Sequence, residues 1–463
     1  MISLSELNKK KHPMAHLYLH NDPAYSTFKV QQSDAVSWKT PVIGPAIHRT
    51  KKILRAQDNF YSAKSNRTIR INLPREDMGV EECFLKMAVV VGATLPGTPG
   101  DYVRLANHSS SLVEEVRLRI GSFEHSIRNY NIMSNLFADI EIPHTVKETQ
   151  MFDNYGYGPD FYRSAMSAGG QRQNLIIPIK WLGADKGILP LDAIYQLGGP
   201  VDQYLEIVIA EPTTCVETNG MDADIKIDQI EMHYDQITSV NNAFRDYTVA
   251  EIRSRNGSFS FPTVKLYQTP IVSSVTDCNI PHKENNLQSM TTVLTDMSSR
   301  NDMTVSNKFG NYPKDFGAGC VVRSYHTDLG GVLVPLERVD ASDQAQHSYM
   351  DYCLSFGFAS NTMKEVKHPA PISLLQFNGV TGNGKFFMHT DLHTLKTNLS
   401  KGVDAEYVVN PLNLRNETRS IIFKLDLTNA PPPAVNLVAY HICRYNQIVR
   451  VDPGSGHLVK HLL

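Results

Sequence analysis

The stretch that decides the fold is Leu175–Ala210, LIIPIKWLGADKGILPLDAIYQLGGPVDQYLEIVIA. Its opening, Leu175 to Trp181, is a short apolar run of the length and composition of a buried strand, and a glycine-marked turn follows it. Ile188, Leu189, Leu191, Ile194 and Tyr195 then suggest a helical turn or two after Gly187, begun around Leu189-Pro190. Beyond Gly198-Gly199, Leu205, Ile207 and Ile209 alternate through Tyr204-Leu-Glu-Ile-Val-Ile, which predicts a strand with one buried face. A strand, short helix and strand in this order cap the end of a β-sandwich.

The same period of two recurs outward in both directions. Val116, Leu118 and Ile120 alternate with Arg117 and Arg119, and Phe423, Leu425 and Leu427 alternate with Lys424, Asp426 and Thr428. Ile225 and Ile227 are followed by Ile230, Met232 and Tyr234, a change of parity that predicts a β-bulge. Val435 to Cys443 is apolar on both faces and reads as a central strand. Loops such as Gly92–Gly100 and Asn429–Pro433 are rich in Gly, Pro, Asn and Asp, the texture of an all-β sandwich.

One helix is expected where Ile132, Met133, Leu136, Phe137 and Ile140 share a face ahead of Pro143. Neither helical segment is long enough to cross over between parallel strands, so a doubly wound sheet is disfavoured. Gln236 to Asn256 is polar and turn-prone, and strand texture resumes at Ser258-Phe-Ser-Phe261, which places a boundary near 245. The two halves are similar in size and texture, with no residue-level repeat.

Composition narrows the function. Across 463 residues, 45 basic and 47 acidic side chains give a formal charge of −2, so no global field attracts nucleic acid. The obvious basic cluster, Lys9-Lys10-Lys11-His12, reads as a solvated tail. No apolar run approaches the roughly 20 residues of a membrane span, and Met1 to Met14 lacks the apolar segment of a signal peptide, so a soluble chain made inside a cell is expected. The six cysteines (83, 215, 278, 320, 353 and 443) are far apart and read as buried free thiols. The Asn-x-Ser/Thr matches at Asn66, Asn107, Asn256, Asn398 and Asn416 are taken as chance.

The decisive stretch, with its apolar Pro- and Trp-bearing strand, Leu-Pro-Leu turn and hydrophobic strand, resembles the first domain of double jelly-roll major capsid proteins of DNA viruses. Ser111 to Gly121 followed by the helix at Ile132–Ile140 is similar to the strand, Ile-Gly turn and helix of the same domain, in matching order over about residues 70–235. The resemblance implies an all-β fold of two consecutive jelly rolls: an N-terminal arm (1–30), a first jelly roll (31–245) and a second (246–463). It further implies a viral major capsid protein of the virion, assembled inside the host cell as a homotrimer of pseudo-hexagonal outline. Such capsomers tile an icosahedral shell around a DNA genome. The implied partners are copies of itself, neighbouring capsomers, penton and minor capsid proteins, and an inner membrane or the genome through the N-terminal arm. No specific nucleic-acid recognition, no catalytic, cofactor-binding or metal-binding residue, and no cofactor are expected.

The rival reading is enzymatic. On a strand His389, Asp391 and His393 share a face, and His441 with Arg450 beyond it completes a pattern similar to the His-x-Asp…His iron site of jelly-roll, 2-oxoglutarate-dependent oxygenases. Against it, 17 histidines make one such spacing easy to meet, and Arg450-Val-Asp452 lacks the serine that usually follows. Gly379 to Lys385 has the spacing of a phosphate-binding loop, but Phe386 stands where Ser or Thr should bind magnesium, so a hairpin turn between Leu374–Phe377 and Phe386–Met388 is expected instead. Asp153–Tyr162 reads as a structural or intersubunit aromatic loop. The adjacent pairs Glu81-Glu82 and Glu114-Glu115 point to opposite faces and read as surface charges.

Overall fold

The computed structural model describes residues 47–93, 103–142, 172–179, 188–198, 202–219, 222–239, 242–254, 258–283, 287–305, 308–342, 345–356, 370–379, 384–392, 420–452 and 458–460. The first half runs β1 (Ile47–Arg55), β2 (Phe60–Ser62), β3 (Thr68–Asn72), β4 (Met78–Ala93), β5 (Val103–Leu105), β6 (Val113–Ile120), β7 (Phe123–Arg128), β8 (Arg172–Pro178), β9 (Ile188–Leu189), β10 (Gln203–Ile209), β11 (Val216–Thr218) and β12 (Ala223–Ser239). Helices α1 (Tyr130–Glu141), α2 (Leu191–Gln196) and α3 (Pro212–Cys215) interrupt it, and α4 (Ala243–Ser254) leads into the second half. There follow β13 (Ser258–Pro270), β14 (Val275–Ile280), β15 (Leu287–Asp296), β16 (Val322–Leu329), β17 (Val332–Asp340), β18 (Met388–Asp391), β19 (Ile421–Leu427), β20 (Leu437–Val451) and β21 (Leu458–Lys460). The helices α5 (Met297–Arg300), α6 (Gln346–Ser355) and α7 (Leu374–Phe377) lie between them.

Each half is a sandwich of two antiparallel sheets. In the first the strand orders are β1-β12-β4-β8 and β3-β10-β6-β7; in the second they are β13-β20-β15-β18 and β14-β19-β16-β17. Both halves thus place their principal strands in one order, with the first and last neighbours at one side, which is the jelly-roll arrangement. β1 corresponds to β13, β12 to β20, and β7 to β17.

Alternation builds the cores. Ile69, Ile71, Val116, Leu118, Leu205 and Ile207 are essentially buried, as are Leu85, Met87, Val89, Ile225 and Ile227 of the facing sheet. Each such side chain contributes about 1.5–3 kcal/mol through burial. Between Asp228 and Glu231 the register of β12 against β4 shifts, and Gln229 takes a positive φ of 50°, so the parity change is a bulge. β20 pairs with β13 on one side and β15 on the other, as a strand apolar on both faces should. Gly121, at φ 59°, turns β6 into β7, and Gly330-Gly331, at φ 61° and 93°, makes the equivalent turn from β16 to β17.

The decisive stretch folds as strand, helix and strand, with three differences from the sequence reading. Its first strand is described to Pro178, and Trp181 lies outside the described residues. Ile188-Leu189 is not helical: it pairs with Met78-Gly79 as β9, and Pro190 delays α2 to Leu191. The segment expected to be turn-prone is largely regular where it is described, since Gln236 to Ser239 complete β12 and a 12-residue helix spans Ala243–Ser254. Phe244, Thr248 and Ile252 form its buried stripe at i, i+4 spacing, which the polar composition around them obscures. Leu374–Phe377, expected as a strand of a hairpin, is a helical turn because Ser373 and Gln376 form a reciprocal capping box.

Candidate functional site

The histidines of the rival reading are separated by the sheet itself. Thr291 and Thr292 are successive residues of β15, so their side chains leave opposite faces. His389 lies opposite Thr291, with Nδ1 2.9 Å from Thr291 Oγ1. His441 lies opposite Thr292, with Nδ1 2.9 Å from Thr292 Oγ1. His389 and, two residues on, Asp391 are therefore on one face and His441 is on the other, packed on Phe423 of the opposing sheet with ring centroids 5.3 Å apart. Burial lowers the His441 imidazole to about 3, the behaviour of a neutral core histidine. Arg450 is in β20, and His393 lies outside the described residues. Among the described residues no group of three or more His, Cys, Asp or Glu is placed to hold a metal.

The described ends of the expected glycine turn, Gly384 and Lys385, meet the rest of the fold closely. A Cβ on Gly384 would come within 2.8 Å of Gly379 O and Pro313 Cα, so glycine is needed for close chain approach. Lys385 Nζ reaches Asp139 Oδ2 of α1 at 2.5 Å, an ion pair between the two halves of the chain. Residues 380–383 and the aromatic loop Asp153–Tyr162 lie outside the described residues.

Lys385 is one point of a polar seam between the sandwiches. Arg444 of β20 pairs with Glu141 and stacks its guanidinium 4.0 Å from the centre of the Phe137 ring. Buried Arg300 donates to Tyr440 Oη at 2.8 Å and to Asn131 Oδ1 at 3.3 Å. Tyr352 Oη donates to the Ile140 carbonyl at 3.0 Å, and Thr218 N to the Met303 carbonyl at 2.8 Å. Lys308 Nζ, brought down to about 8 by burial, donates to the Thr213 carbonyl at 2.7 Å. At the strand edges β7 lies beside β13, where His125 Nε2 and Thr263 Oγ1 are 2.7 Å apart.

These partners were not identified from sequence, although α1 carried a signal. It ends Asp139-Ile-Glu141 with no basic residue in its last turn, an arrangement its dipole disfavours. Cations from elsewhere resolve it, and here Lys385 and Arg444 supply them. Because Asp139 is only 6% exposed, Lys385→Met should cost about 3 kcal/mol in chemical denaturation by removing the ammonium that faces a buried carboxylate. Adding Asp139→Leu should recover most of that loss, and an additive double variant would argue against the pairing.

No protein-family model and no curated protein matches the sequence. Solved structures do. The PBCV-1 virus capsid is similar at a TM-score of 0.55 and 9% identity, over 92% of this chain and 100% of that one. The structure of the Sputnik virophage is similar at 0.53 and 12% identity, over 92% and 90%. The Faustovirus major capsid protein is similar at 0.50 and 8%, over 96% and 100%. The chain folds as a double jelly roll.

In this double jelly roll every cysteine is free and buried. Burial pushes the thiols of Cys215, Cys278 and Cys443 up to about 12, which makes them unreactive. Glu114 pairs with Arg67 at the surface, but Glu115 corrects the expectation of a surface charge. It is buried on the sheet face opposite the core, where hydrogen bonds and charges of Arg117 and Arg128 outweigh its burial and hold its carboxyl below the usual range.

Proposed function

We propose that the chain is a viral major capsid protein whose task is assembly and not chemistry. The observation that carries this reading is the pair of jelly rolls with one strand order, joined side by side through a buried polar seam. Two such units in one chain supply two sixths of a pseudo-hexagonal ring, so three chains close a trimeric capsomer, and capsomers tile an icosahedral shell around a DNA genome. Interfaces of this permanent kind commonly bury about 2,000–5,000 Å². The domain division that fits is an arm over 1–30 and jelly rolls over 31–245 and 246–463, with the arm directed to the genome or an inner membrane. Penton and minor capsid proteins are the further partners, and the virion is the location. The oxygenase alternative is set aside because His389 and His441 are on opposite faces of one sheet.

Native mass spectrometry and negative-stain microscopy of the expressed full chain test the proposal. Trimers of pseudo-hexagonal outline are expected at micromolar concentration. A protein that stays monomeric there and never enters particles would remove the capsid reading.

A further inference from the structure

The seam between the sandwiches holds more positive charge than its acids neutralise. Asp139 is matched by Lys385, and Glu141 by Arg444. Arg300 and Lys308, each only 5% exposed, have no ion-pair partner among the described residues. The Lys308 ammonium is held by two carbonyls, those of Thr213 and Asp302. Arg300 meets neutral groups alone: Tyr440 Oη, Asn131 Oδ1, the Met297 sulfur at 4.0 Å, and the rings of Phe309 and Tyr440, whose centres are 5.2 and 5.6 Å from the guanidinium carbon. A charge buried in this way is strongly disfavoured unless an opposite charge joins it.

Three enclosed polar atoms of this region have no hydrogen-bond partner: Arg300 Nε, Tyr312 Oη and Asn135 Oδ1, from residues 5%, 2% and 0% exposed. Helix α1 brings them together. Asn131, Asn135 and Asp139 recur every four residues and share one buried face. Arg300 touches Asn131 at one end of that row, and the charges of both Arg300 and Asp139 act on the Tyr312 hydroxyl. Asn135, one turn from each neighbour, donates through Nδ2 to the Asn131 carbonyl at 2.6 Å, which leaves its Oδ1 to accept. Tyr312 is fixed through its backbone, which donates to the Gly384 carbonyl at 2.6 Å and accepts from Phe386 N at 2.8 Å. Burial keeps its phenol protonated, so Tyr312 offers an O–H beside the Nε–H of Arg300. Two donors next to uncompensated positive charge are the chemistry of an anion site. A water alone would satisfy the donors and bring no charge.

We propose that the seam binds one small monovalent inorganic anion, of the size of chloride, on Arg300 Nε and Tyr312 Oη, with a water between it and Asn135 Oδ1. The anion completes the charge balance of a junction whose other cations already have acids, and through Asn131 and Asn135 it joins α1 of the first sandwich to Arg300 and Tyr312 of the second. Cohesion between the two halves then depends on the halide concentration. The site is internal to one chain, so it stands apart from the capsomer reading.

The test is urea denaturation of the full chain at fixed protein concentration and ionic strength, with chloride exchanged for gluconate, an anion too large to be enclosed. The folding constant should rise about tenfold for each tenfold rise in chloride above the dissociation constant. Tyr312→Phe keeps the ring and removes one donor, and should move that response to about tenfold higher chloride. Arg300→Gln should abolish it. Crystals of the full chain soaked in sodium bromide supply the second reading: an anomalous peak within hydrogen-bond distance of Arg300 Nε and Tyr312 Oη is expected. Stability that is indifferent to the exchange, a Tyr312→Phe response identical to the parent's, or an ordered water with no anomalous signal at that position would each overturn the proposal.

Discussion

Tyr352→Ala should destabilise the protein by about 3–5 kcal/mol, the cost of deleting a fully buried aromatic from a packed cluster. The Tyr352 ring contacts Tyr349, Phe356, Phe377 and Phe387 at centroid distances of 5.8, 5.5, 6.2 and 5.0 Å. Its hydroxyl also reaches out of its own sandwich to the Ile140 carbonyl at the end of α1. The two roles can be separated: Tyr352→Phe keeps the ring and should cost only about 1 kcal/mol, the value of the lost hydrogen bond. Chemical denaturation of both variants distinguishes them. Equal losses would mean that the hydroxyl, not the ring, governs the site.

The second large effect concerns acid. His282 and His441 are buried neutral, each imidazole lowered from 6.5 to about 3 chiefly by loss of solvent, with the charge of Lys265 adding to the effect at His282. The unfolded chain takes up protons on these rings below pH 6.5 and the folded chain does not. Their contribution is therefore complete above about 6.5 and falls as pH drops toward 3, by about 1.4 kcal/mol per pH unit per ring. Asp77 acts in the opposite sense. Burial and the charge of Asp192 raise its carboxyl to about 7, so the folded state gains between pH 7 and 3.8 and offsets one of the two rings.

A variant isolates the histidine effect. His441→Gln should be less stable than the parent at pH 7.5, and the gap should narrow by about 2 kcal/mol at pH 5, because only the parent pays for keeping this ring neutral. Urea denaturation at the two pH values reads the difference. A gap that does not change with pH would show that His441 takes up its proton as readily in the fold as in the unfolded chain.

What could be read from sequence was local. Alternation such as Leu205-Ile207-Ile209 survives in any sandwich because a strand with one wet face must place every second side chain in the core, and the bulge at Gln229 betrayed itself through parity. α4 was missed because three buried side chains, Phe244, Thr248 and Ile252, are diluted by polar neighbours. The seam was illegible for a different reason. Glu141 and Arg444 are 303 positions apart and Asp139 and Lys385 are 246 apart, so no window contains both members of a pair. Lys385 did attract notice in the sequence, as the end of a glycine spacing that resembles a nucleotide loop and that Phe386 argued against, but the carboxylate facing the lysine is distant in the chain. His389 and His441 stood only as a rival pattern, since spacing along the chain does not reveal which side of a sheet a distant strand presents.

The six secluded thiols have a bearing on chemical durability. A protein held together by exposed cysteines would change its covalent structure whenever the surrounding redox potential changed. Here each sulfur is shielded within the fold, so oxidant or reductant should find nothing to act on while the subunit stays folded. The polypeptide would keep one chemical form across such a change, with its stability resting on noncovalent contacts.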